Sequence, residues 1–224
     1  LKEVYLSDKA VEDQKKRDAV IIDEFVRLFG DNDSIELFSA PGRTEVGGNH
    51  TDHNHGKVLA ASVDLDTVAA AAKRDDGIIV EKSFKFDALE VDISDLEVHT
   101  EEFGKSSGLI RGMCAGFKER GYNIGGFNAA SMSRVLSGSG LSSSAAYEVL
   151  IGTILNHLYN DGKVSPVEVA KIAQYAENKY FGKPCGLLDQ TASSVGSFIT
   201  IDFKDPSRPI INKVDFDFAS CGHA

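Results

Sequence analysis

The sequence predicts a protein of mixed helices and strands, because stretches with helical spacing and stretches with strand patterns both occur along its 224 residues. Residues 7–29 place apolar side chains at mostly helical spacing among charges, and Gly30 follows as a stop signal. Between residues 35 and 93, short runs rich in Val, Ile and Ala are typical of strands. A chain of this length can bury a sizeable core.

The strands of the first half are separated by turn signals. Their predicted positions are residues 35–39, 58–63, 67–73, 78–83 and 84–93. The first strand is expected to end where the chain turns at Ala40-Pro41-Gly42, and Asp75-Asp76-Gly77 is expected to form a hairpin turn. The last strand alternates apolar and charged residues, which is typical of a half-exposed edge strand.

The second half is richer in helices. Helices are predicted at residues 107–120, from the glycine-serine stretch at 138–146 to about residue 159, and at residues 165–181; strands are predicted at residues 127–133, 197–203 and 210–218. The third helix has the clearest start. Ser165 is the predicted N-cap, Pro166 occupies the first helical position, and Glu168 is placed for a capping box.

Charge and cysteine content limit the classes of function. The formal net charge of −10 argues against a nucleic-acid partner, since phosphate backbones are bound by clustered Lys and Arg. The three cysteines include no close-spaced pair, which fits a reducing compartment and indicates neither a disulfide framework nor a zinc ribbon. We see no leader and no apolar run of membrane-spanning length, so a cytoplasmic protein without a membrane partner is expected.

A glycine-serine loop, Gly138-Ser-Gly-Leu-Ser-Ser-Ser-Ala-Ala146, stands between a predicted strand and a predicted helix. Two glycines allow close backbone approach to a ligand, and the helix presents free N–H groups and the positive end of its dipole. This arrangement favours phosphate binding, although the usual P-loop pattern is absent. The alternative is a flexible loop ahead of a serine-capped helix.

A second polar stretch, residues 41–56, is dense in Gly, Arg, Asn, His and Asp. Arg43 supplies a fixed fork of donors, and Asn49, His50 and Asp52 are able to bind several hydroxyls of one polyol. Two alternatives stay open here. One is a solvated polar loop, and the other is a metal site built from His50, Asp52, His53 and His55.

A third stretch, residues 177–190, ends in Cys-Gly-Leu-Leu-Asp-Gln. Together with the Gly-Arg and His-Thr-Asp of the second stretch and the glycine-serine loop, in this order, it resembles the galactokinases of the GHMP small-molecule kinases. The resemblance implies an α+β domain of the ribosomal protein S5 domain 2-like type, with a mixed sheet and helices packed on it. Residues 1–207 are expected to form this N-terminal domain and residues 208–224 the start of a truncated C-terminal domain, so the chain alone is expected to be a poor catalyst.

The resemblance also implies an activity, the transfer of the ATP γ-phosphate to the C1 hydroxyl of galactose. Asp189 matches the catalytic aspartate and Arg43 the arginine that keeps it ionised; Ser144 and Glu177 match the pair that holds Mg²⁺. The residues expected to wrap the ATP phosphates are Gly138, Ser139, Gly140, Leu141, Ser142, Ser143 and Ser144. Those expected to contact the sugar are Asn49, His50, Asp52 and Gly186. Taken alone, Glu177 also fits a solvated helix charge and Asp189 an N-cap or early-turn residue.

The chain departs from the family pattern at four positions. The replacements are Glu45 for Asn, Gly47 for Ile, Asn49 for Glu and His53 for Tyr. Because Asn49 also donates hydrogen bonds, a different sugar or a sugar acid is the first alternative substrate. A catalytically silent sugar and ATP sensor is the second alternative, although the serine loop, Glu177 and Asp189 are intact. Cys185 is expected to be a small buried filler and not a nucleophile.

Overall fold

A computed structural model of the chain describes residues 7–216. Its α-helices are α1 (Asp8–Phe29), α2 (Ser106–Glu119), α3 (Ser143–Asn160), α4 (Pro166–Ala176) and α5 (Leu188–Val195). Its strands are β1 (Glu36–Gly47), β2 (Lys57–Arg74), β3 (Ile78–Ser83), β4 (Leu89–Asp92), β5 (Gly126–Ser133), β6 (Phe198–Asp202) and β7 (Ile210–Lys213).

The seven strands form one mixed sheet in the order β4-β3-β5-β2-β6-β7, and β1 pairs with β2. The β3–β5 pair is parallel, whereas the remaining pairs are antiparallel. The predicted α+β class with a mixed sheet is therefore confirmed. The predicted boundary at residue 207 stays a prediction; β7, beyond it, pairs with β6.

The long strand β2 divides the core into two faces, since successive side chains of a strand point to opposite sides. Val68, Ala70 and Ala72 pack with Ile21 and Phe25 of α1. The intervening alanines belong to a cluster on the other face with side chains of α2, α3 and α4, among them Met113, Phe117, Leu150, Ile154 and Ile172. The sheet thus lies between α1 and the helices that adjoin the glycine-serine loop and the third stretch.

Strand β1 is longer than predicted, because the chain does not turn at residues 40–42. It continues through Pro41 and a register shift between Pro41 and Arg43, and ends at Gly47. Proline is tolerated where a ladder hydrogen bond is missing, and bulges supply such a place. The shift keeps Arg43 within the strand.

Two other strand predictions were wrong. The stretches predicted as two strands form the single strand β2, since β1 pairs with it on both sides of residues 63–65. Residues 75–77 do form a turn, in which Asp76 Oδ1 accepts from the Ile78 amide at 3.1 Å. They do not close a hairpin, because β5 lies between β2 and β3.

The remaining elements differ from prediction mainly at their ends. The predicted edge strand is confirmed as an edge but shortened to Leu89–Asp92, and the last strand ends at Lys213, with residues 217 and 218 outside the described residues. Ser165 caps α4 by accepting from the Glu168 amide at 3.2 Å, while the Glu168 carboxylate binds Arg120 at 2.9 Å. Helix α4 passes into a π-helical turn, Glu177–Phe181, and α5 was not predicted as a helix.

A buried arginine holds α1 on the sheet. Arg17, 5% exposed, forms an ion pair with Asp66 and donates to the Asp66 and Met132 carbonyl oxygens at 3.0 and 2.8 Å. Asp66 also accepts from Ser39 Oγ at 2.6 Å. These bonds explain how β2 runs through an acidic segment without a break.

Glu81 is a second buried charge, 3% exposed, in β3. It accepts from Ser131 of β5, and Tyr147 Oη of α3 lies 3.3 Å from its other oxygen. Burial raises the pKa of the Glu81 carboxyl above its ordinary value of 4.5. The Glu81 carboxyl thus links the parallel strands β3 and β5 to α3, and its burial disfavours the ionised form.

Removal of the Arg17 guanidinium tests the attachment of α1. Arg17→Met is expected to lower the free energy of unfolding by about 3–5 kcal/mol, because a buried carboxylate then loses its cation. Lys16→Met is the control, since the Lys16–Glu12 pair is exposed and its loss should change stability by less than about 0.5 kcal/mol. Urea denaturation measures both, and equal effects would contradict the structural role.

Substitution Glu81→Gln tests the buried carboxyl. Because its pKa is raised on folding, the wild-type protein loses stability as the pH rises above 4.5 toward the folded pKa, whereas the amide has nothing to ionise. We therefore expect the unfolding free energy of Glu81→Gln, relative to wild type, to increase with pH above 4.5 and to level off below it. A difference that stays constant from acid to neutral pH would refute this.

Candidate active site

The glycine-serine loop lies open to solvent between β5 and α3. Gly138 and Gly140 have φ angles of 77° and 78°, in the left-handed region that favours glycine, and a Cβ added at either would meet no atom within 4 Å. Ser142 adopts the same region with φ 58°. A strained non-glycine residue in an exposed loop is a feature of functional sites.

The start of α3 differs from that of a serine-capped helix. Ser142 occupies the N-cap position but makes no side-chain cap bond, and its hydroxyl donates to Asp189 Oδ2. The first-turn N–H groups therefore remain free of a side-chain cap and suit an anion. The alternative of a loop that only precedes a serine cap is not supported.

Arg43 connects the loop to the carboxylate predicted to be catalytic. Its Nε and Nη2 lie 2.8 and 2.7 Å from Asp189 Oδ1, and its Nη1 donates to the Gly140 carbonyl at 2.6 Å. The Arg43 backbone amide donates to the Leu141 carbonyl at 3.0 Å. Both the backbone and the guanidinium of one residue thus fix the serine loop.

Asp189 is the second residue of α5. Its early-turn helical position is therefore real, and it is compatible with a role in the site, because the helix dipole favours a negative charge there. The side chain is 27% exposed, so the carboxylate is held by Arg43 and Ser142 yet still faces solvent.

The predicted sugar residues Asp52 and Gly186 are in contact. Asp52 lies in a one-turn 3-10 helix, is 7% exposed, and accepts from the Leu188 amide through Oδ2 at 3.3 Å. A Cβ added to Gly186 would lie 1.7 Å from that oxygen, so only glycine fits. The other oxygen, Oδ1, is buried and has no partner within the described residues, which leaves it able to accept from a ligand hydroxyl.

Asn49 and His50 lie in the exposed turn before Asp52, with φ angles of 50° and 54°. Sequence reasoning assigned no role to Glu45, yet its carboxylate accepts from the His50 amide at 2.6 Å and lies 3.4 Å from His50 Nε2. The departures at positions 45 and 49 thus place a carboxylate on β1 and an amide on the turn.

Glu177 is buried, at 2% exposed, so the interpretation as a solvated helix charge was wrong. It begins the π-helical turn, a feature often found at functional sites. Ser144 Oγ donates to Glu177 Oε1 at 3.3 Å, so the two residues predicted to hold Mg²⁺ are in contact. Lys183 Nζ lies 3.1 Å from the same oxygen, and Gln190 Nε2 donates to Oε2 at 2.7 Å.

Two members of this network, Glu148 and Gln190, were missed by the sequence analysis. Gln190 Nε2 lies 3.2 Å from Glu148 Oε2, and both side chains are fully buried. Burial, followed by the charge of Glu177, raises the pKa of Glu148 well above its ordinary value of 4.5. The available signal was a lone acidic residue within the apolar run of α3, where a solvated charge is not expected.

Ser144 and Glu177 bring two oxygen atoms together beside the serine loop, and oxygen atoms of this kind are the ligands that Mg²⁺ prefers. Within residues 7–216, no group of three or more His, Cys, Asp or Glu side chains is arranged to hold a metal. The alternative metal site in the polar stretch at 50–55 therefore gains no support.

Cys185 is only partly buried and has a free thiol. Burial, with the charge of Glu177, raises its pKa, so the sulfur is a protonated, weak nucleophile. Its backbone carbonyl accepts from Gln174 Nε2 at 3.2 Å, and its amide donates to Asn178 Oδ1 at 2.6 Å. The residue thus anchors the third stretch through its backbone.

Among the described helices, none has the length and hydropathy needed to cross a bilayer.

Two protein families match this chain, each over a range that contains residues of the candidate site. Residues 23–73 match the galactokinase galactose-binding signature, and residues 108–197 match the N-terminal domain of the GHMP kinases. The first range contains Arg43 and Asp52, and the second contains the serine loop, Glu177 and Asp189.

Curated relatives agree with these matches. The galactokinase of Clostridium beijerinckii is 37% identical over 179 residues, which cover 79% of this chain and 46% of the relative. That of Bacillus subtilis is 34% identical over 176 residues, covering 77% of this chain and 44% of the relative. The chain thus spans about half the length of the curated relatives it matches.

Solved structures show the same fold. Lactococcus lactis galactokinase complexed with galactose superposes with a TM-score of 0.79 at 32% identity, covering 89% of this chain and 52% of that one. Methanococcus jannaschii mevalonate kinase, at 16% identity and a TM-score of 0.67 over 85% of this chain and 59% of its own, shares the fold alone. The chain belongs to the galactokinases of the GHMP kinase family.

Proposed function

We propose that the protein transfers the γ-phosphate of ATP to the C1 hydroxyl of galactose, giving galactose 1-phosphate and ADP. One observation carries the proposal. The Asp189 carboxylate is held by Arg43 and Ser142 at the point where the serine loop meets the stretch that contacts Asp52. A hydroxyl bound there lies between a carboxylate and a phosphate site, which is the arrangement that phosphoryl transfer needs.

Asp189 orients the attacking hydroxyl or accepts its proton. Arg43 balances the charge of the carboxylate and fixes its position through two nitrogens on one oxygen. Since phosphoryl transfer depends mainly on positioning and charge, such a fixed carboxylate is sufficient as a base.

The sugar is bound by Asp52, with Asn49, His50 and Gly186 around it. Asp52 Oδ1, which is buried and has no hydrogen-bond partner among residues 7–216, supports a hydroxyl partner, and the match of residues 23–73 to a galactose-binding signature favours galactose. A different sugar or a sugar acid is the second candidate, because Asn49 and His53 depart from the family pattern. A silent sensor is less favoured, because the residues around Asp189 are complete.

The phosphates of ATP bind the loop residues from Gly138 to Ser144 and the uncapped start of α3. Ser144 and Glu177 would hold Mg²⁺, and the ion would supply positive charge that offsets the negative charge of the phosphates. A cytoplasmic location remains a prediction, and the free thiols of Cys114 and Cys185 fit it. The domain boundary near residue 207 also remains a prediction.

Replacement of the carboxylate tests the function. Asp189→Asn is expected to lower the rate of ADP release with galactose, ATP and Mg²⁺ by about 10²- to 10⁴-fold, because the amide cannot accept the proton. Binding of a non-hydrolysable ATP analogue should persist. The assay uses the whole protein, with any residues that flank this chain, and a panel of aldohexoses, deoxysugars and sugar acids.

The panel separates the candidates. Galactose as the best substrate supports the proposal, whereas a higher rate with another sugar or a sugar acid transfers the assignment to that substrate. If the wild-type protein binds sugar and ATP but releases no ADP with any member, the sensor is correct.

The substitution Gly186→Ala tests the sugar site. The added Cβ would overlap Asp52 Oδ2, so Asp52 must move and kcat/KM for the sugar is expected to fall by about a hundredfold. The KM for ATP should change little. Gly47→Ala is the matched control, because a methyl group there meets no atom within 4 Å. Comparable losses in both variants would argue against the Asp52–Gly186 contact as part of the sugar site.

A further inference from the structure

Lys183 binds the carboxylate oxygen that faces Ser144. Its Nζ lies 3.1 Å from Glu177 Oε1, and Ser144 Oγ lies 3.3 Å from the same oxygen. The Lys183 backbone amide also donates to the Glu177 carbonyl at 3.2 Å. The π-helical turn, which ends at Gly182 in the left-handed region, therefore fixes where this lysine begins.

The two partners differ sharply in exposure. The Lys183 side chain is 61% exposed, whereas the Glu177 side chain is 3% exposed. The ammonium therefore reaches the carboxylate from the solvent side and marks the side on which Glu177 is accessible. A lysine on a flexible four-carbon stem can change partners at little cost.

The charge of the site favours a cation at this place. Glu177 and Asp189 place two carboxylates near the start of α3, and ATP would bring further negative charge. Arg43 is already engaged, since two of its nitrogens bind Asp189 and the third binds the Gly140 carbonyl. All three guanidinium nitrogens of Arg43 thus already have acceptors in the protein.

A metal held by Ser144 and Glu177 would meet the ammonium of Lys183 on one oxygen. Two cations on a single carboxylate oxygen repel each other strongly when the carboxylate is buried. The ammonium would then leave Glu177, and phosphates bound at the serine loop would offer it a new negative partner.

We propose that Lys183 is a phosphate-binding residue for the nucleotide, held by Glu177 until Mg²⁺ and ATP arrive. The inference rests on the proposed function, in that it assigns one more contact to the same nucleotide site. Lysine suits this role as a compact point charge with three donors.

The test compares Lys183→Met and Lys183→Arg with wild type in the whole protein. The dissociation constant of a non-hydrolysable ATP analogue with Mg²⁺ is measured by calorimetry, and KM for ATP and for the sugar by steady-state kinetics. Lys183→Met is expected to weaken analogue binding by about ten- to a hundredfold, with a matching rise in KM for ATP. Lys183→Arg should restore part of the affinity, and KM for the sugar should not change.

Lys179→Met is the control, because Lys179 lies in the same π-helical turn, is half exposed, and binds Tyr175 and Glu119 outside the site. It should bind the analogue like wild type. Unchanged binding in Lys183→Met would make Lys183 a surface ion pair, and tighter binding or a lower Mg²⁺ requirement would make it a competitor of the metal; either result overturns the proposal. Failure of the wild-type protein to bind the analogue would overturn the proposed function as well.

Discussion

The ion pair between Arg43 and Asp189 is the interaction on which the rest of the site depends. It joins residues 146 positions apart in sequence and so brings β1, the serine loop and α5 to one point. Arg43 is 7% exposed, and each nitrogen of its guanidinium has an acceptor. The cost of removing this charge from water is therefore balanced by charge-assisted hydrogen bonds. A lysine could not make the same set of contacts, because it lacks the planar fork.

The fold supplies what this pair needs on both sides. On the β1 side, pairing with the long strand β2 and the register shift after Pro41 hold Arg43 in place. On the α5 side, Ser193 Oγ donates to the Pro41 carbonyl at 2.7 Å, which locks the helix to the same strand. The buried Arg17–Asp66 pair then holds α1 against β2 from the opposite face.

Acidic groups cluster around a site that is proposed to bind a polyanion. The protein tolerates this because the carboxylates are satisfied in different ways. Asp189 is paired with Arg43, Glu177 accepts from Ser144, Gln190 and Lys183, and burial favours the protonated form of Glu148. In the proposed function the phosphates bind the free N–H groups at the start of α3, whose positive character is local, together with the ammonium of Lys183.

The sequence by itself determined the α+β class, most helices and strands, the family and the positions of the three motifs, because periodicity, caps and ordered motifs are local signals. Only the tertiary structure decided that β5 separates β2 from β3, that residues 57–74 form one strand, and that Ser142 serves Asp189 instead of capping α3. It also revealed Glu45, Glu148, Lys183 and Gln190 as partners of the predicted site residues. Strand order and side-chain partners depend on contacts between segments distant in sequence, and no local pattern in a single chain encodes them.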